Sequence, residues 1–205
     1  MPADRVNPRK GAAVLRAAAL SLGALCLAAS AGPAAAQPRA DQLAACAACH
    51  GPGGNAAIAE YPSIAGQPRL FIENQLVLIR EGLRDVPSMK AVMGPITDAE
   101  IVELSKYFAA QAPTRRPGTA DPVRMKAGAD LSRRLLCGSC HLPDYAGQNQ
   151  VPRLAWQNEV FLVASMKQFR DHPGLGRDTI MAATLRGLSD NDLATLAHYL
   201  AHHGR

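Results

Sequence analysis

The stretches Cys46-Ala47-Ala48-Cys49-His50 and Cys137-Gly138-Ser139-Cys140-His141 share the pattern C-x-x-C-H and lie 91 positions apart in a chain of 205 residues. This pattern is the attachment signature of c-type haem. The two cysteines add to the haem vinyl groups as thioethers, and the adjacent histidine is placed to ligate the iron. We therefore expect two covalently bound haem c groups and one-electron chemistry. The thioethers would come from Cys46 and Cys49 in the first copy and from Cys137 and Cys140 in the second.

Two other chemistries also use paired cysteines, a four-cysteine zinc site and a thioredoxin-like redox pair. Zinc would require the two motifs to converge across a full domain length. A thioredoxin-like pair would require a βαβ pattern, which the sequence lacks. The histidine after each pair therefore favours haem. It also favours thioethers over the disulfides that are common in exported proteins.

The first 36 residues have the pattern of a secretory signal peptide. Basic residues up to Arg16 precede an apolar stretch over about residues 17–31, and small residues end at Ala36. A membrane anchor is the alternative, but the apolar stretch is shorter than the roughly 20 residues that span a bilayer. We therefore expect cleavage after Ala36 and a periplasmic protein. Loose association with the membrane stays open.

The charge of the chain argues against a nucleic-acid partner. The leader holds four basic residues and one acidic residue, so its removal lowers the formal net charge from +5 to +2. The remaining basic residues do not form the clustered surface that nucleic-acid binding requires.

The chain after the leader is an internal duplication, with matched positions offset by 90 to 92 residues. Matched positions beyond the motifs include Pro62 and Pro152, Gln67 and Gln157, Met89 and Met181, Thr97 and Ser189, and Tyr107 and Tyr199. Prolines without apolar periodicity indicate a linker over residues 112–122. We expect the first domain over residues 37–111 and the second over residues 123–205. Each is small for a domain that must bury its core without a bound haem.

Apolar residues recur with a period near 3.6 and aromatic residues are 4% of the chain, so we expect an all-α fold. Each domain is predicted to contain three helices, with an irregular loop that carries a methionine before the last. The predicted helices cover residues 40–48, 68–81 and 98–110, then 123–136, 158–170 and 190–203. Thr97 with Glu100, and Ser189 with Asp192, predict capping boxes on the final helices.

His50 and His141 are the predicted iron ligands on one side of each haem. The second ring nitrogen of such a histidine needs an acceptor that fixes its tautomer and orientation. Pro62 lies 12 residues after His50, and Pro152 lies 11 residues after His141. Their backbone carbonyls are candidate acceptors; the alternative is that each proline merely starts the segment before the second helix.

Met89 and Met181 are the predicted sixth ligands. Each lies eight residues before the cap of its final helix, and such equal placement is hard to obtain from core packing alone. Ligation by Met and His is the pattern of electron-transfer cytochromes c. The other candidates have no matching partner in the repeat, so we expect the methionines to pack and the histidines to lie on the surface. They are Met93, Met125, Met166, His172, His198, His202 and His203.

These residues resemble the dihaem class I cytochromes c, and the cytochrome c4 family in particular. The matching segments are residues 46–51 (CAACHG), 61–67 (YPSIAGQ), 151–157 (VPRLAWQ), 119–122 (TADP) and 188–192 (LSDND). The resemblance implies two tandem cytochrome c domains whose haems approach each other near their interface. It also implies a periplasmic electron carrier whose partners are redox proteins, such as a quinol-oxidising complex, a terminal oxidase or a dehydrogenase.

Two other functions compete with a free electron carrier. A dihaem electron-transfer subunit of a periplasmic dehydrogenase, such as flavocytochrome c sulfide dehydrogenase, would have the same architecture. A dihaem peroxidase would need an open iron, and two matched methionines argue against it. We therefore expect an electron carrier with no catalytic residues of its own.

Overall fold

The computed structural model describes residues 38–115 and 118–204, and the leader predicted over residues 1–36 lies outside them. The first half of the described chain has four α-helices. They are α1 (Ala40–His50), α2 (Arg69–Arg80), α3 (Pro87–Met93) and α4 (Asp98–Ala109), with a 3₁₀ turn at Pro52–Gly54.

The second half repeats this order with one additional helix. It contains α5 (Pro122–Arg134), α6 (Cys137–His141), α7 (Glu159–Asp171), α8 (Thr179–Leu185) and α9 (Asp190–His202). Within the described residues, β-type pairing is limited to an isolated bridge between Gln148 and Val151. The all-α prediction is therefore confirmed. No helix in this part of the chain has the length and hydropathy that crossing a bilayer requires.

The two short helices α3 and α8 correct the sequence analysis, which predicted irregular loops around the methionines. Met89 lies in α3, which has a proline at its first position, and Met181 lies in α8. The carboxylate of Asp178 caps α8 by accepting a hydrogen bond from the Met181 N–H at 2.8 Å. Both helices have only seven residues, too few to show a helical period in the sequence.

The helix predicted over residues 123–136 is also shorter than expected. Helix α5 ends at Arg134, and Leu136 has a φ of 56°. An L-residue rarely adopts this left-handed conformation, so it ends a helix and turns the chain. The second C-x-x-C-H motif therefore forms the separate helix α6, whereas the first motif is the end of the continuous helix α1.

The capping boxes predicted for the final helices are confirmed. Glu100 N–H donates to Thr97 Oγ1 at 3.3 Å, and Thr97 N–H donates to Glu100 Oε2 at 2.8 Å. Ser189 and Asp192 make the same pair of bonds at 3.1 and 3.0 Å. These bonds satisfy N–H groups that the first turn of a helix leaves free. They hold the pKa of both carboxyls below the ordinary value.

Each half has its own apolar core, built on the inner face of its final helix. The apolar faces of these helices are buried: Ile101, Leu104 and Phe108 in α4, and Leu193, Leu196 and Leu200 in α9. The core of the first half contains seven buried residues. Such a small core supports the expectation that the first domain depends on its haem.

Helix α5 approaches α9 closely at Gly128. A β-carbon at this position would lie 2.4 Å from the Tyr199 Cβ and 2.7 Å from the Thr195 backbone oxygen. In the first half, α1 joins α4 through a polar contact, because Gln42 Nε2 donates to Glu100 Oε1 at 2.7 Å. The two halves therefore attach their first helices to their final helices in different ways.

Three matched pairs of residues have the same left-handed backbone in both halves, although only the first half uses glycine. The pairs are Gly51 and Leu142 (φ 74° and 70°), Gly54 and Tyr145 (82° and 55°), and Gly66 and Trp156 (63° and 62°). Conformations of this kind cost a non-glycine residue of order 1–3 kcal/mol and persist where the surrounding structure imposes them. The repeat therefore preserves the backbone path around the C-x-x-C-H motif even where glycine has been replaced.

Candidate haem sites

The histidine of each motif is buried and held by one hydrogen bond. His50 is 7% exposed and His141 is 3% exposed. Nδ1 of His50 lies 2.8 Å from the Pro62 carbonyl oxygen, and Nδ1 of His141 lies 2.8 Å from that of Pro152. A carbonyl can only accept, so Nδ1 carries the proton in both rings. Both predicted acceptors are confirmed.

This arrangement prepares each imidazole to bind a metal through Nε2. Burial lowers the pKa of His50 and His141 below the ordinary value, which favours the neutral ring that a metal ligand requires. With Nδ1 bonded to a carbonyl, the lone pair is on Nε2. An acceptor on the second nitrogen also fixes the ring orientation and raises the basicity of the ligand.

None of the four motif cysteines forms a disulfide. Cys46 and Cys137 are half-buried, and burial raises the pKa of both thiols. A raised pKa is the opposite of what a reactive thiolate needs, so these groups do not resemble a thioredoxin-like pair. Four free thiols next to neutral histidines fit the chemistry of thioether attachment.

The methionine of each half packs against the same core as a cysteine of that half. Met89 and Cys46 contact the core cluster of the first half, and Met181 and Cys137 contact that of the second. Both methionines are half-buried. By contrast, Met93 is only 2% exposed and belongs to the core, as does its counterpart Leu185. The prediction that Met93 packs in the core is therefore confirmed.

A buried guanidinium provides a further test of whether a haem fits. Arg153 is 5% exposed, and its Nε has no hydrogen-bond partner within the described residues. Its other nitrogens bond to the backbone carbonyls of Ala65 and Ala155. Burial lowers the pKa of Arg153 to about 10. Since a buried cation is costly without an anionic partner, this site suits a ligand that brings carboxylates, as haem does.

A zinc site is not supported by the arrangement of potential ligands. Within the described residues, one group of three such side chains lies together, Glu159, His198 and His202, and it contains no cysteine. His198 Nδ1 lies 3.0 Å from Glu159 Oε2, and its Nε2 accepts from the Asp121 N–H at 3.0 Å. Both nitrogens of His198 are therefore engaged by the protein.

Not all of the histidines predicted to lie on the surface are exposed. His172 is exposed, as predicted. His198 is buried and His202 is 9% exposed, so the prediction is wrong for these two residues. Both lie in α9, where His202 Nδ1 bonds to the His198 carbonyl at 2.9 Å. The error for His198 arose because its partner Glu159 lies 39 residues away in sequence.

Comparison with known proteins identifies the family of the chain. A cytochrome c4 of Azotobacter vinelandii is 33% identical over 179 residues, which cover 78% of this chain and 84% of that protein. The chain belongs to the cytochrome c4 family. It is therefore a dihaem electron-transfer cytochrome of two tandem cytochrome c domains with two covalent haem c groups. It is an electron carrier rather than an enzyme, and it exchanges electrons with redox partners.

Further similarities extend this assignment. The family model "Cytochrome C oxidase, cbb3-type, subunit III" matches residues 33–108. The crystal structure of reduced recombinant cytochrome c4 from Pseudomonas stutzeri has a TM-score of 0.73 and 28% identity, over 80% of this chain and 95% of that one. A thiosulfate dehydrogenase electron acceptor of Thiomonas intermedia is 31% identical over 196 residues, covering 90% of this chain and 88% of that protein.

Gln67 and Gln157 are matched positions of the repeat for which no role was predicted, and nothing was predicted for Arg153. In the structure all three are buried where the two halves of this cytochrome c4 family member meet. The repeat could have drawn attention to the glutamines, because each lies five residues after the proline whose carbonyl accepts from the motif histidine. No comparable signal marked Arg153, whose counterpart is Ser63.

Proposed function

We propose that the chain is a one-electron shuttle with two closed haem sites. In the first site, Cys46 and Cys49 hold the haem and His50 and Met89 ligate its iron. In the second site, Cys137, Cys140, His141 and Met181 have the same roles. When bound, the haem supplies the Fe(II)/Fe(III) couple, and the protein contributes the axial ligands, their orientation and burial.

One observation carries this proposal: in both halves a buried histidine donates Nδ1–H to a proline carbonyl at 2.8 Å. The match extends to a half-buried methionine on a short helix before the final helix. A thioether is a soft ligand that raises the reduction potential, and filling both axial positions favours electron transfer over substrate binding. We assign these sites to domains over residues 37–111 and 123–205, joined by a linker over residues 112–122.

We further propose that the leader over residues 1–36 is cleaved and that the mature chain acts in the periplasm. The basic start, the apolar stretch and the small residues before Gln37 support export. Covalent haem attachment through cysteines also suits a compartment outside the cytosol. Suitable partners are a quinol-oxidising complex, a terminal oxidase or a dehydrogenase.

A second candidate function is that of an electron-transfer subunit bound to a dehydrogenase. The similarity to the thiosulfate dehydrogenase electron acceptor of Thiomonas intermedia supports it. The two functions differ in how the protein is isolated. A free shuttle purifies alone and reduces or oxidises several partners, whereas a subunit co-purifies with a catalytic chain in a fixed ratio.

A redox titration followed by optical and EPR spectra tests the closed-site proposal. We expect two one-electron waves and low-spin signals of Met/His ligation from both haems. Carbon monoxide, cyanide and hydrogen peroxide should perturb the native spectrum only slowly, because no axial position is open. Rapid binding of carbon monoxide to the reduced protein, or fast peroxide turnover, would contradict the proposal and favour a peroxidase.

Replacing Cys49 with alanine should leave at most one thioether on the first haem. One vinyl group then stays conjugated with the ring, so the pyridine haemochrome band of half the haem should shift to longer wavelength. Ala48→Ser is the matched control, because position 48 is exposed in the same motif and both cysteines remain. A Cys49→Ala spectrum identical to that of the Ala48→Ser control would contradict the assignment of Cys49.

A further inference from the structure

The two halves are joined by a reciprocal pair of glutamine contacts. Gln67 Nε2 donates to the Arg153 carbonyl at 3.0 Å, and Gln67 Oε1 accepts from the Arg153 N–H at 2.9 Å. Gln157 makes the same two bonds with Ser63, at 2.9 and 2.7 Å. Both glutamines are 3% exposed. Each glutamine therefore binds the backbone of the other half twice, with its amide nitrogen as donor and its amide oxygen as acceptor.

The backbone segment that each glutamine binds in the other half also holds the motif histidine of that other half. The Pro62–Ser63 peptide accepts from His50 Nδ1 through its carbonyl and donates to Gln157 Oε1 through its N–H. One planar peptide thus lies between a candidate iron ligand of the first half and a side chain of the second. Gln157 Oε1 also accepts from the Asn158 N–H at 3.0 Å, which fixes the amide within its own half.

The second half has the same arrangement in reverse. The Pro152–Arg153 peptide accepts from His141 Nδ1 and donates to Gln67 Oε1. The two chains of hydrogen bonds run in opposite directions across the same interface. Apolar side chains of the same volume would leave the buried N–H and carbonyl groups of Ser63 and Arg153 without these partners.

Hydrogen bonds in a chain polarise one another, most strongly in a low-dielectric interior. An acceptor at a peptide N–H increases the negative charge on the carbonyl oxygen of the same peptide. That oxygen then draws the Nδ1 proton more strongly and makes Nε2 a better donor to a metal. A more electron-rich axial ligand stabilises the ferric state and lowers the reduction potential.

We propose that Gln157 and Gln67 are positioning residues that act across the interface, each tuning the haem of the other half. The inference rests on the proposed ligation by His50 and His141. It predicts that the potential of each haem depends on the interface being closed. The potentials are therefore a property of the pair of domains rather than of either domain alone.

The test uses the full-length holoprotein and spectroelectrochemical titration. The Met89→His and Met181→His variants first identify the wave that belongs to each haem. Gln157→Leu removes the acceptor from the Ser63 N–H, so it should raise the potential of the first haem. We expect the ferric-to-ferrous ratio of that haem at a fixed applied potential to fall two- to threefold. This is about 20–30 mV at 59 mV per tenfold change for one electron. Gln67→Leu should act in the same way on the second haem.

Two further variants separate tuning from loosening of the interface. Asn158→Leu removes another buried amide that crosses the interface, because Asn158 Nδ2 donates to the carbonyls of Ile58 and Tyr61. It leaves the Pro62–Ser63 peptide bonded to Gln157, so it should not reproduce the shift. Gln157→Glu, measured below the pKa of the introduced carboxyl, offers one donor and one acceptor as a neutral acid. It should keep the potential of the first haem near that of the native protein. If Gln157→Leu does not fold, Gln67→Leu and its effect on the second haem carry the test.

The outcomes distinguish this inference from the proposed ligation. If neither Met→His variant moves a wave, the proposed ligation by Met89 and Met181 is wrong. If they move one wave each but Gln157→Leu shifts both haems alike, only its own haem, or neither, the crossed tuning is overturned and the ligation stands. A shift in Asn158→Leu equal to that in Gln157→Leu would also overturn it.

Discussion

Replacing Met89 with histidine should lower the reduction potential of the first haem by on the order of 0.1–0.3 V and leave the second nearly unchanged. The imidazole is a stronger donor than the thioether and favours ferric iron, and axial ligands move haem potentials over a range of roughly 0.8 V. A titration followed optically should show one wave displaced. The near-infrared band of ferric Met ligation should be lost for half the haem.

Met93 provides the matched control for this experiment. It lies four residues further along the same short helix, is buried in the core, and has a leucine at the equivalent position of the second half. Met93→Leu conserves volume and should cost less than about 1.5 kcal/mol of stability. It should move neither potential. Displacement of both waves by Met89→His, or a larger shift from Met93→Leu, would reject Met89 as the ligand.

The features that could be predicted from the sequence are those fixed by local chemistry or by the repeat. The capping box of Thr97 and Glu100 needs only two side chains three residues apart. The bond between His50 and the Pro62 carbonyl was predictable mostly from the resemblance to the cytochrome c4 family, and both copies of the motif show nearly the same spacing to a proline. The all-α fold followed from helical periodicity, which long helices such as α9 display clearly.

The features that could not be predicted depend on contacts between distant residues or on very short elements. Seven residues in α3 and α8 do not display a period, so both appeared as loops. The burial of His198 depends on Glu159 and Asp121, which lie 39 and 77 residues away. Trp156 has a left-handed backbone conformation, which bulky residues rarely adopt. Its counterpart Gly66 has nearly the same φ, so the two halves share this backbone path.

The structure also shows how an internal duplication can keep its sites while its supports diverge. The bonds between histidine and proline are alike in both halves. The first helix of each half is attached differently. Gly128 lets α5 lie directly against α9, whereas α1 contacts α4 through the hydrogen bond between Gln42 and Glu100. Stability should therefore respond strongly to a change at Gly128.

Replacing Gly128 with alanine should destabilise the second half by about 1–3 kcal/mol or more. The added methyl group would overlap the Tyr199 Cβ at 2.4 Å and the Thr195 backbone oxygen at 2.7 Å. Overpacking of this size forces helices apart rather than moving one flexible side chain. Urea unfolding followed by haem absorbance should show a lower midpoint for Gly128→Ala. Burial raises the pKa of Tyr199 to about 12, so its titration should move toward the ordinary tyrosine pKa as the helices separate.

Gly94→Ala is the matched control for the stability of Gly128→Ala. Gly94 has helical dihedral angles (φ −52°, ψ −45°), and a β-carbon there meets only the Lys90 oxygen, at 3.6 Å. The same substitution should therefore be neutral or stabilising by up to about 0.5–1 kcal/mol, because alanine loses less backbone entropy on folding than glycine. Opposite effects from one chemical change would locate the cost in the contact between α5 and α9. Equal stability of Gly128→Ala and Gly94→Ala would mean that the two helices can separate freely, and that the second haem domain does not depend on this contact.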